Sequence, residues 1–292
     1  MRPAVELKQD FDLIASHGDI IDVLKTATLI QFRSFQLMDR PIDAFVKQAE
    51  DSLNCVRVKY EHDKLRHPVF HERSEAPSVI VIVSSDDGFV GEINAVLANI
   101  ALEQRRSKED QLIVIGERGA RHLEDMKERF VFFPGLTHQI SWGEVDGIQN
   151  YVFDLFRKKA GRVIVVHPMF VSLMVQKIMV WQAFPYKPAE KDAGFSSPEK
   201  WHAEDPLEPS PMRVAEGAAQ LWFGAKLLEV FWTSKLAEYA ARVMHLEESS
   251  QGLKHKEKGL LTEYFRQVHA TRDKVIREIT GSRQASRRRR RV

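Results

Sequence analysis

The chain has 292 residues, of which 43% are hydrophobic and 29% are charged, and this balance excludes an intrinsically disordered protein. A single cysteine, Cys55, excludes an internal disulfide framework and a zinc site with four cysteine ligands. No apolar run approaches the about 18 residues of a membrane-spanning helix, and the N-terminus lacks a signal-peptide core. We therefore expect an intracellular protein that reaches a membrane only through its partners.

In chain order, the sequence begins with a helical pattern that covers residues 1–59. Its apolar side chains recur at helical spacing, Pro41 is a predicted kink or break, and nothing in it alternates like a strand. We predict an N-terminal coiled-coil helix here. The segment is mildly acidic because it contains Asp10, Asp12, Asp19 and Asp22.

Residues 75–186 have the pattern of a compact α/β domain. Apolar runs alternate with helical stretches, which is typical of βαβ units and predicts a mainly parallel, Rossmann-like sheet. The predicted strands are Val79–Val83, Leu112–Ile115, Phe130–Phe133, Val163–Val166 and a longer edge strand, Ser172–Ala183. The predicted helices are Ile93–Gln104, Arg118–Lys127 and Val145–Lys158.

A proline-rich linker, residues 187–211, leads into the longest helical pattern of the chain, residues 212–285. Ser210 is placed to cap this helix, and Pro211 is suited to its first position. A helix of this length needs a partner for its apolar stripe, so we predict an antiparallel coiled coil with the N-terminal helix. The residues spaced by seven, as in a coiled-coil seam, are Tyr239, Leu246, Leu253 and Leu260.

The formal net charge of +2 hides a strongly basic C-terminus. Residues 252–292 carry 13 Lys or Arg side chains against 4 Asp or Glu, and Arg287–Arg291 form an unbroken run. Such a run is typical of a solvated segment, and we predict a basic tail over residues 286–292. Contact of this tail with nucleic acid is a weaker interpretation.

The turn after the first predicted strand, residues 88–91, occupies the position of a phosphate-binding loop. Asp86, Asp87 and Glu92 surround it with negative charge, and no Lys or Arg is near it in the sequence. We therefore favour a plain strand-to-helix turn over a phosphate site.

Three histidines precede the α/β domain at intervals of four to five residues: His62, His67 and His71. Zinc would need a further ligand, and Pro68 interrupts any helix that presents them, so we favour surface histidines. Cys55 is predicted to be a buried thiol. We predict no catalytic residue, no metal site and no cofactor.

Two segments carry a resemblance to a known family. The segment S-K-L-A-E-Y-A-A-R-V-M-H-L matches its helical signature at Glu238, Ala240, Ala241 and Arg242. The segment S-S-D-D-G-F-V-G-E-I-N matches its glycine turn at Ser85, Asp86, Gly88, Gly91 and Asn94. With long terminal helices on both sides of an α/β domain, nearly the whole chain resembles the gamma subunit of F-type rotary ATP synthases. It resembles a divergent member, because Asp87 and Glu92 stand where the family usually has arginine and glycine.

This resemblance implies a central rotary shaft without a catalytic site of its own. The implied partners are the alpha and beta subunits of the catalytic hexamer, the epsilon subunit and the membrane c-ring. The implied location is the cytoplasmic face of the bacterial inner membrane, in a peripheral part of the complex without direct insertion. Glu238 and Arg242 are expected to hold the helices in register. Residues expected to face the hexamer or the first helix are Leu261, Phe265, Val268, Val275, Ile276 and Ile279.

A second interpretation belongs to a different class of protein. It is a stand-alone α/β domain on a coiled coil, which binds a small ligand or, through its basic tail, nucleic acid. This interpretation predicts a monomer or dimer, a ligand at the Gly88 turn and salt-sensitive affinity for RNA or DNA. The shaft interpretation predicts one copy in a complex with a hexamer of nucleotide-binding subunits.

Overall fold

The computed structural model describes residues 2–37, 42–73, 75–137, 140–188 and 207–289, with side chains up to residue 281. The chain divides into two compact units. The sheet unit is Ile30–Arg242, and the helical unit joins the residues up to Leu29 to those from Val243 onward. The elements are α1 (Ala4–Leu37), α2 (Ile42–His62), β1 (Ser78–Val83), α3 (Ile93–Glu103), β2 (Gln111–Ile115), α4 (Glu117–Asp125), β3 (Phe130–Phe133), α5 (Trp142–Lys158), β4 (Arg162–Ser172), β5 (Val175–Phe184) and α6 (Pro211–Arg289).

The sheet has five strands in the order β3-β2-β1-β4-β5. The first four are parallel, and β5 is antiparallel to β4. In the centre, Val81 lies opposite Ile113 of β2 and Val165 of β4. The predicted α/β domain with a mainly parallel sheet is therefore confirmed.

Two layers of helices cover the sheet because β1 is apolar on both faces. Val79 and Val81 belong to a core with side chains of α2, α5 and α6, whereas Ile80 and Ile82 pack with α3 and α4. All six residues of β1 are buried. Each aliphatic side chain removed from water in this way contributes about 1.5–3 kcal/mol, so the sheet is stabilised from both sides.

Aromatic side chains attach the first part of α6 to the sheet unit. Phe184 stacks on Phe156 with 4.6 Å between ring centroids, and Phe223 of α6 lies 5.3 Å from Phe184. A Cβ atom at Gly224 would lie 2.3 Å from Oε1 of Gln149. A larger residue at position 224 would therefore have to displace the Gln149 amide where α6 meets α5.

The N-terminal helical pattern forms two helices. The predicted break, Pro41, lies between α1 and α2, outside the described residues. In α2, Val46 and Leu53 lie in the core beside the sheet, whereas Val56 and Tyr60 pack against Ala215 of α6. The prediction of a coiled-coil helix over residues 1–59, with a kink or break at Pro41, therefore stays a prediction for its second half. An apolar stripe shows that a helix is covered but does not identify the surface that covers it.

The last two strands also differ from the prediction. The sequence predicts Val163–Val166 and Ser172–Ala183, but β4 continues to Ser172 and β5 begins at Val175 as the other arm of a hairpin. The two connecting residues are Leu and Met. Because no Gly, Pro, Asn or Asp marks this turn, the sequence carries no signal for it.

The helical unit contains the antiparallel pairing of α1 and α6. Lys25 Nζ lies 3.1 Å from Glu247, whereas Asp22 lies 3.0 Å from Lys254. Residue numbers therefore fall along α1 as they rise along α6. The predicted antiparallel coiled coil is confirmed for this unit. In the described part of the chain, no helix combines the length and apolar character needed to cross a membrane.

Candidate functional site

Of the six α6 side chains predicted to face the hexamer or the first helix, five are exposed in the helical unit. Val268 is half-buried. Every residue from His269 to Gly281 is exposed. The exposed fractions are 38% for Leu261, 51% for Phe265, 48% for Val275, 61% for Ile276 and 50% for Ile279. We call these five residues the α6 stripe. An apolar stripe of this kind marks a candidate interaction surface.

Polar side chains join α1 to α6 in the same unit. Ser250 Oγ donates a 2.7 Å hydrogen bond to Asp22, and Lys254 Nζ donates one of 3.0 Å to the same carboxylate. Lys25 Nζ lies 3.0 Å from Asp22 and 3.1 Å from Glu247. We call these five residues the Asp22 cluster.

The Asp22 cluster stabilises the charged forms of Asp22 and Lys25. The Ser250 hydrogen bond, followed by those from Lys254 and Lys25, holds the pKa of Asp22 well below its usual range. The hydrogen bond to Asp22, followed by that to Glu247, raises the pKa of Lys25. Ser250 is 1% exposed, so the cluster introduces a polar contact into the helix seam.

A second charged cluster lies where α6 meets the loop after β1, in the sheet unit. The Glu238 carboxylate accepts hydrogen bonds from Lys235 Nζ at 3.0 Å and Arg242 Nη2 at 2.5 Å. Arg242 Nε donates to the Gly88 carbonyl oxygen at 3.1 Å, and Nη2 lies 3.3 Å from Asp87. The three α6 side chains are only 5–8% exposed. Their charges are therefore buried and paired.

These contacts join α6 to the loop after β1. The predicted role of Glu238 and Arg242 in helix register is not tested by them and stays a prediction. The fold also brings two guanidinium groups to a turn that has no Lys or Arg near it in the sequence. Arg242 is 154 positions from Gly88, and Nη2 of Arg118 would lie 3.0 Å from a Cβ at Gly88.

The loop after β1 is held by its own polar groups. Asn94 Oδ1 accepts a 3.2 Å hydrogen bond from the Ser85 backbone N–H, and Asn94 Nδ2 donates to Ser85 Oγ at 2.9 Å. Asp86 accepts hydrogen bonds from the backbone N–H groups of Glu117 at 2.8 Å and Gly135 at 3.1 Å. The motif residues therefore connect the carboxyl ends of neighbouring strands, which is a structural role.

The histidines before the sheet differ in their surroundings. His67 is 6% exposed, packs edge-on against Tyr60, and its Nδ1 accepts a 3.2 Å hydrogen bond from the Val69 backbone. Burial lowers the pKa of His67. The prediction of surface histidines is therefore wrong for His67, because Tyr60 of α2 and Phe70 cover its ring. Within the described ranges, no group of three His, Cys, Asp or Glu side chains could hold a metal ion.

Other titratable groups are buried away from these clusters. Cys55 is a buried thiol, as predicted, and burial raises its pKa. His167 on β4 is 7% exposed, and burial lowers its pKa to about 4. Lys235 and His167 were not predicted from the sequence, although the spacing of Lys235, Glu238 and Arg242 by three and four residues was a usable signal. The predicted basic tail, residues 286–292, lies outside the described side chains.

Comparison with known proteins gives matches along nearly the whole chain. A family model for ATP synthase matches residues 6–285. An ATP synthase gamma chain of Mycoplasmopsis synoviae is 21% identical over a match that covers 98% of this chain and 100% of that protein. An ATP synthase gamma chain of Akkermansia muciniphila is 27% identical over a match that covers 77% of this chain and 79% of that protein. A chain in the OSCP/F1/c-ring structure of Euglena gracilis mitochondrial ATP synthase has a TM-score of 0.68 and 14% identity, covering 99% of this chain and 96% of that chain. This structural likeness shows a common fold.

Proposed function

The chain belongs to the ATP synthase family, and from this premise we propose how its two units act in the complex. It is a divergent gamma chain with the central-stalk role of an F-type ATP synthase. As such it is a peripheral part of a membrane complex. We assign it to the cytoplasmic face of a bacterial inner membrane.

The helical unit is the part that we assign to the ring of alpha and beta subunits. The α6 stripe supports this assignment, because exposed aliphatic and aromatic side chains gain stability when a partner removes them from water. Rotary coupling requires no active site in the stalk itself. It requires a stiff element with unlike sides, so that the nucleotide affinity of each ring subunit depends on the angle of the stalk. The pairing of α1 with α6 supplies that stiffness.

The sheet unit is the part that we assign to the epsilon subunit and the membrane c-ring. Strand β5 is at one edge of the sheet, and a free strand edge is a surface that partners can cover. The β4–β5 hairpin also exposes apolar side chains, which supports a protein partner. Its exposed fractions are 48% for Val171, 77% for Met174, 45% for Val175, 38% for Met179 and 42% for Val180.

Stoichiometry tests this function. Co-expression of this chain with alpha and beta subunits from the same organism should give one copy per hexamer. The observation that carries the proposal is the paired helical unit with its exposed α6 stripe. A stable monomer or dimer that never joins a hexamer, with ligand bound at the Gly88 turn, would instead favour a stand-alone binding domain.

A pair of matched variants tests the assignment of the two units. Val275→Asp combined with Ile276→Asp should sharply reduce recovery of the hexamer complex, because two carboxylates would be buried in an apolar contact. Val171→Asp combined with Met174→Asp places the same charges on exposed apolar positions of the sheet unit. This control should leave the hexamer complex intact and weaken epsilon binding.

The basic tail is proposed to lie beyond the hexamer contacts. Five consecutive arginines cannot be buried unpaired in an apolar sleeve. Truncation after Gln284 should therefore leave one copy per hexamer. Loss of the complex on truncation would show that the tail is part of the contact.

A further inference from the structure

Helix α1 carries an exposed apolar stripe that its pairing with α6 leaves uncovered. The exposed fractions are 70% for Val5, 56% for Leu13, 56% for Ile20 and 68% for Val23. At 3.6 residues per turn these side chains share one side of the helix and extend over about 27 Å. Leu7, on the opposite side, is 1% exposed. The stripe is therefore separate from the helix seam, and we call it the α1 stripe.

Unpaired carboxylates border the α1 stripe. Asp12 and Asp19 are spaced by seven, adjoin Leu13 and Ile20, and are exposed. Neither side chain makes a hydrogen bond or an ion pair within the described part of the chain. Residues 4–24 contain five Asp or Glu against one Lys. This combination of aliphatic side chains and acidic borders favours a partner of opposite charge.

We propose that the α1 stripe docks a protein segment with aliphatic side chains bordered by Lys or Arg, on the subunit ring that surrounds the stalk. This inference rests on the proposed function and adds the charge of the contacting surface. The exposed aliphatic residues supply the buried area, and Asp12 and Asp19 select the basic partner. An anionic lipid surface is a poor fit, because it attracts basic segments and repels these carboxylates.

Charge variants of the full chain, assembled with its alpha and beta subunits, test the proposal. Asp12→Lys combined with Asp19→Lys should weaken binding to the ring by at least about tenfold at low salt, since like charges across an interface oppose association. The loss should shrink as salt screens the charges. Asp12→Asn combined with Asp19→Asn should give a smaller loss. Circular dichroism of each variant should give unchanged helix content, because neither carboxylate has a partner to lose.

The matched control makes the same charge change on α4, in the sheet unit. Glu124→Lys combined with Asp125→Lys alters two exposed carboxylates. This variant should bind the ring of alpha and beta subunits as tightly as the wild type. Equal loss in this control, or no salt-dependent loss in the α1 variant, would overturn the proposal. Binding of the wild-type chain to vesicles of anionic phospholipid through α1 would also overturn it. Failure of the wild-type chain to join the ring would instead refute the proposed function itself.

Discussion

The Ser250 hydroxyl on α6 donates a 2.7 Å hydrogen bond to the Asp22 carboxylate on α1. Ser250 is 1% exposed, so this polar contact lies inside the seam between the two helices. In coiled coils a single polar seam position favours the alignment in which its partner is present. If α1 shifted by one helix turn along α6, Ser250 and Asp22 would lose their hydrogen bond. The contact therefore favours the observed register.

Replacing Asp22 with alanine should lower the thermal midpoint of the helical unit at neutral pH. The folded pKa of Asp22 is below its unfolded value of about 3.9. The stability that the charged Asp22 carboxylate contributes is therefore present above about pH 3.9 and is lost as pH falls through the folded pKa. The difference in thermal midpoint between the variant and the wild type should narrow only below about pH 4. Thermal unfolding followed by circular dichroism would measure it.

The control for Asp22 is Asp12 on the same helix. Asp12→Ala removes an exposed carboxylate without a partner among the described residues, so the midpoint of the isolated chain should stay the same. Equal midpoints for Asp22→Ala and Asp12→Ala would show that the Asp22 cluster does not stabilise the pair.

Replacing Arg242 with alanine should destabilise the sheet unit by about 3–5 kcal/mol. The Glu238 carboxylate would keep Lys235 but lose its second donor, and the Gly88 carbonyl oxygen would lose a donor as well. Arg242→Lys should recover only part of the loss, because lysine cannot hold both acceptors in one plane. Urea unfolding followed by tryptophan fluorescence would measure the free energies.

Asp87 supplies the matched control for Arg242. Its side chain is 64% exposed, so Asp87→Asn should cost less than about 1 kcal/mol. If Arg242→Ala cost no more than Asp87→Asn, the buried contacts to Glu238 and Gly88 would not be responsible for attaching α6.

Local patterns in the sequence were enough to predict the sheet. The β-branched run Val79–Val83 predicts a buried strand, and β1 is Ser78–Val83. Ser210 was predicted to cap the last helix, and its Oγ accepts a 3.4 Å hydrogen bond from the Arg213 backbone. In each case the signal lies within a few neighbouring residues.

Features that depend on distant parts of the chain were not predictable in this way. The apolar spacing of α2 resembles that of α1, yet Val46 and Leu53 of α2 pack beside the sheet. The hydrogen bond from Arg242 to Gly88 joins positions 154 residues apart. Neither helical spacing nor turn composition specifies which of several apolar or charged surfaces will meet. The α6 stripe could therefore be predicted from the sequence, whereas the contacts of Arg242 with the loop after β1 could not.

Replacing Gly116 with alanine should destabilise the sheet unit by at least about 1–3 kcal/mol. Gly116 has a φ of 103°, and a Cβ there would lie 2.6 Å from the Ser84 backbone oxygen. Gly147, in α5, has no atom within 4 Å of the same Cβ position. Gly147→Ala should therefore be neutral or stabilise by up to about 1 kcal/mol. Urea unfolding of both variants measures the contrast, and equal effects would contradict the backbone strain at Gly116.

Acidification should weaken the sheet unit through His167. Burial is the largest cause of its lowered pKa of about 4, and the Lys226 charge adds to it, while the hydrogen bond with Pro168 O opposes it. The unfolded value is about 6.5, so the unfolded chain binds more protons between these two values. The free energy of unfolding should therefore fall as pH falls from about 6.5 to about 4, by roughly 3 kcal/mol from this residue.

The variant His167→Asn isolates this contribution, since asparagine does not titrate but keeps an N–H donor for Pro168 O. Its free energy of unfolding should depend less on pH than that of the wild type over the same window. His17, which is exposed on α1, provides the matched control: His17→Asn should leave the pH dependence unchanged. Urea unfolding at half-unit steps of pH would measure both. Parallel curves for wild type and His167→Asn would mean that His167 remains neutral in the unfolded chain or is hydrated in the folded one, and either result would contradict the burial argument.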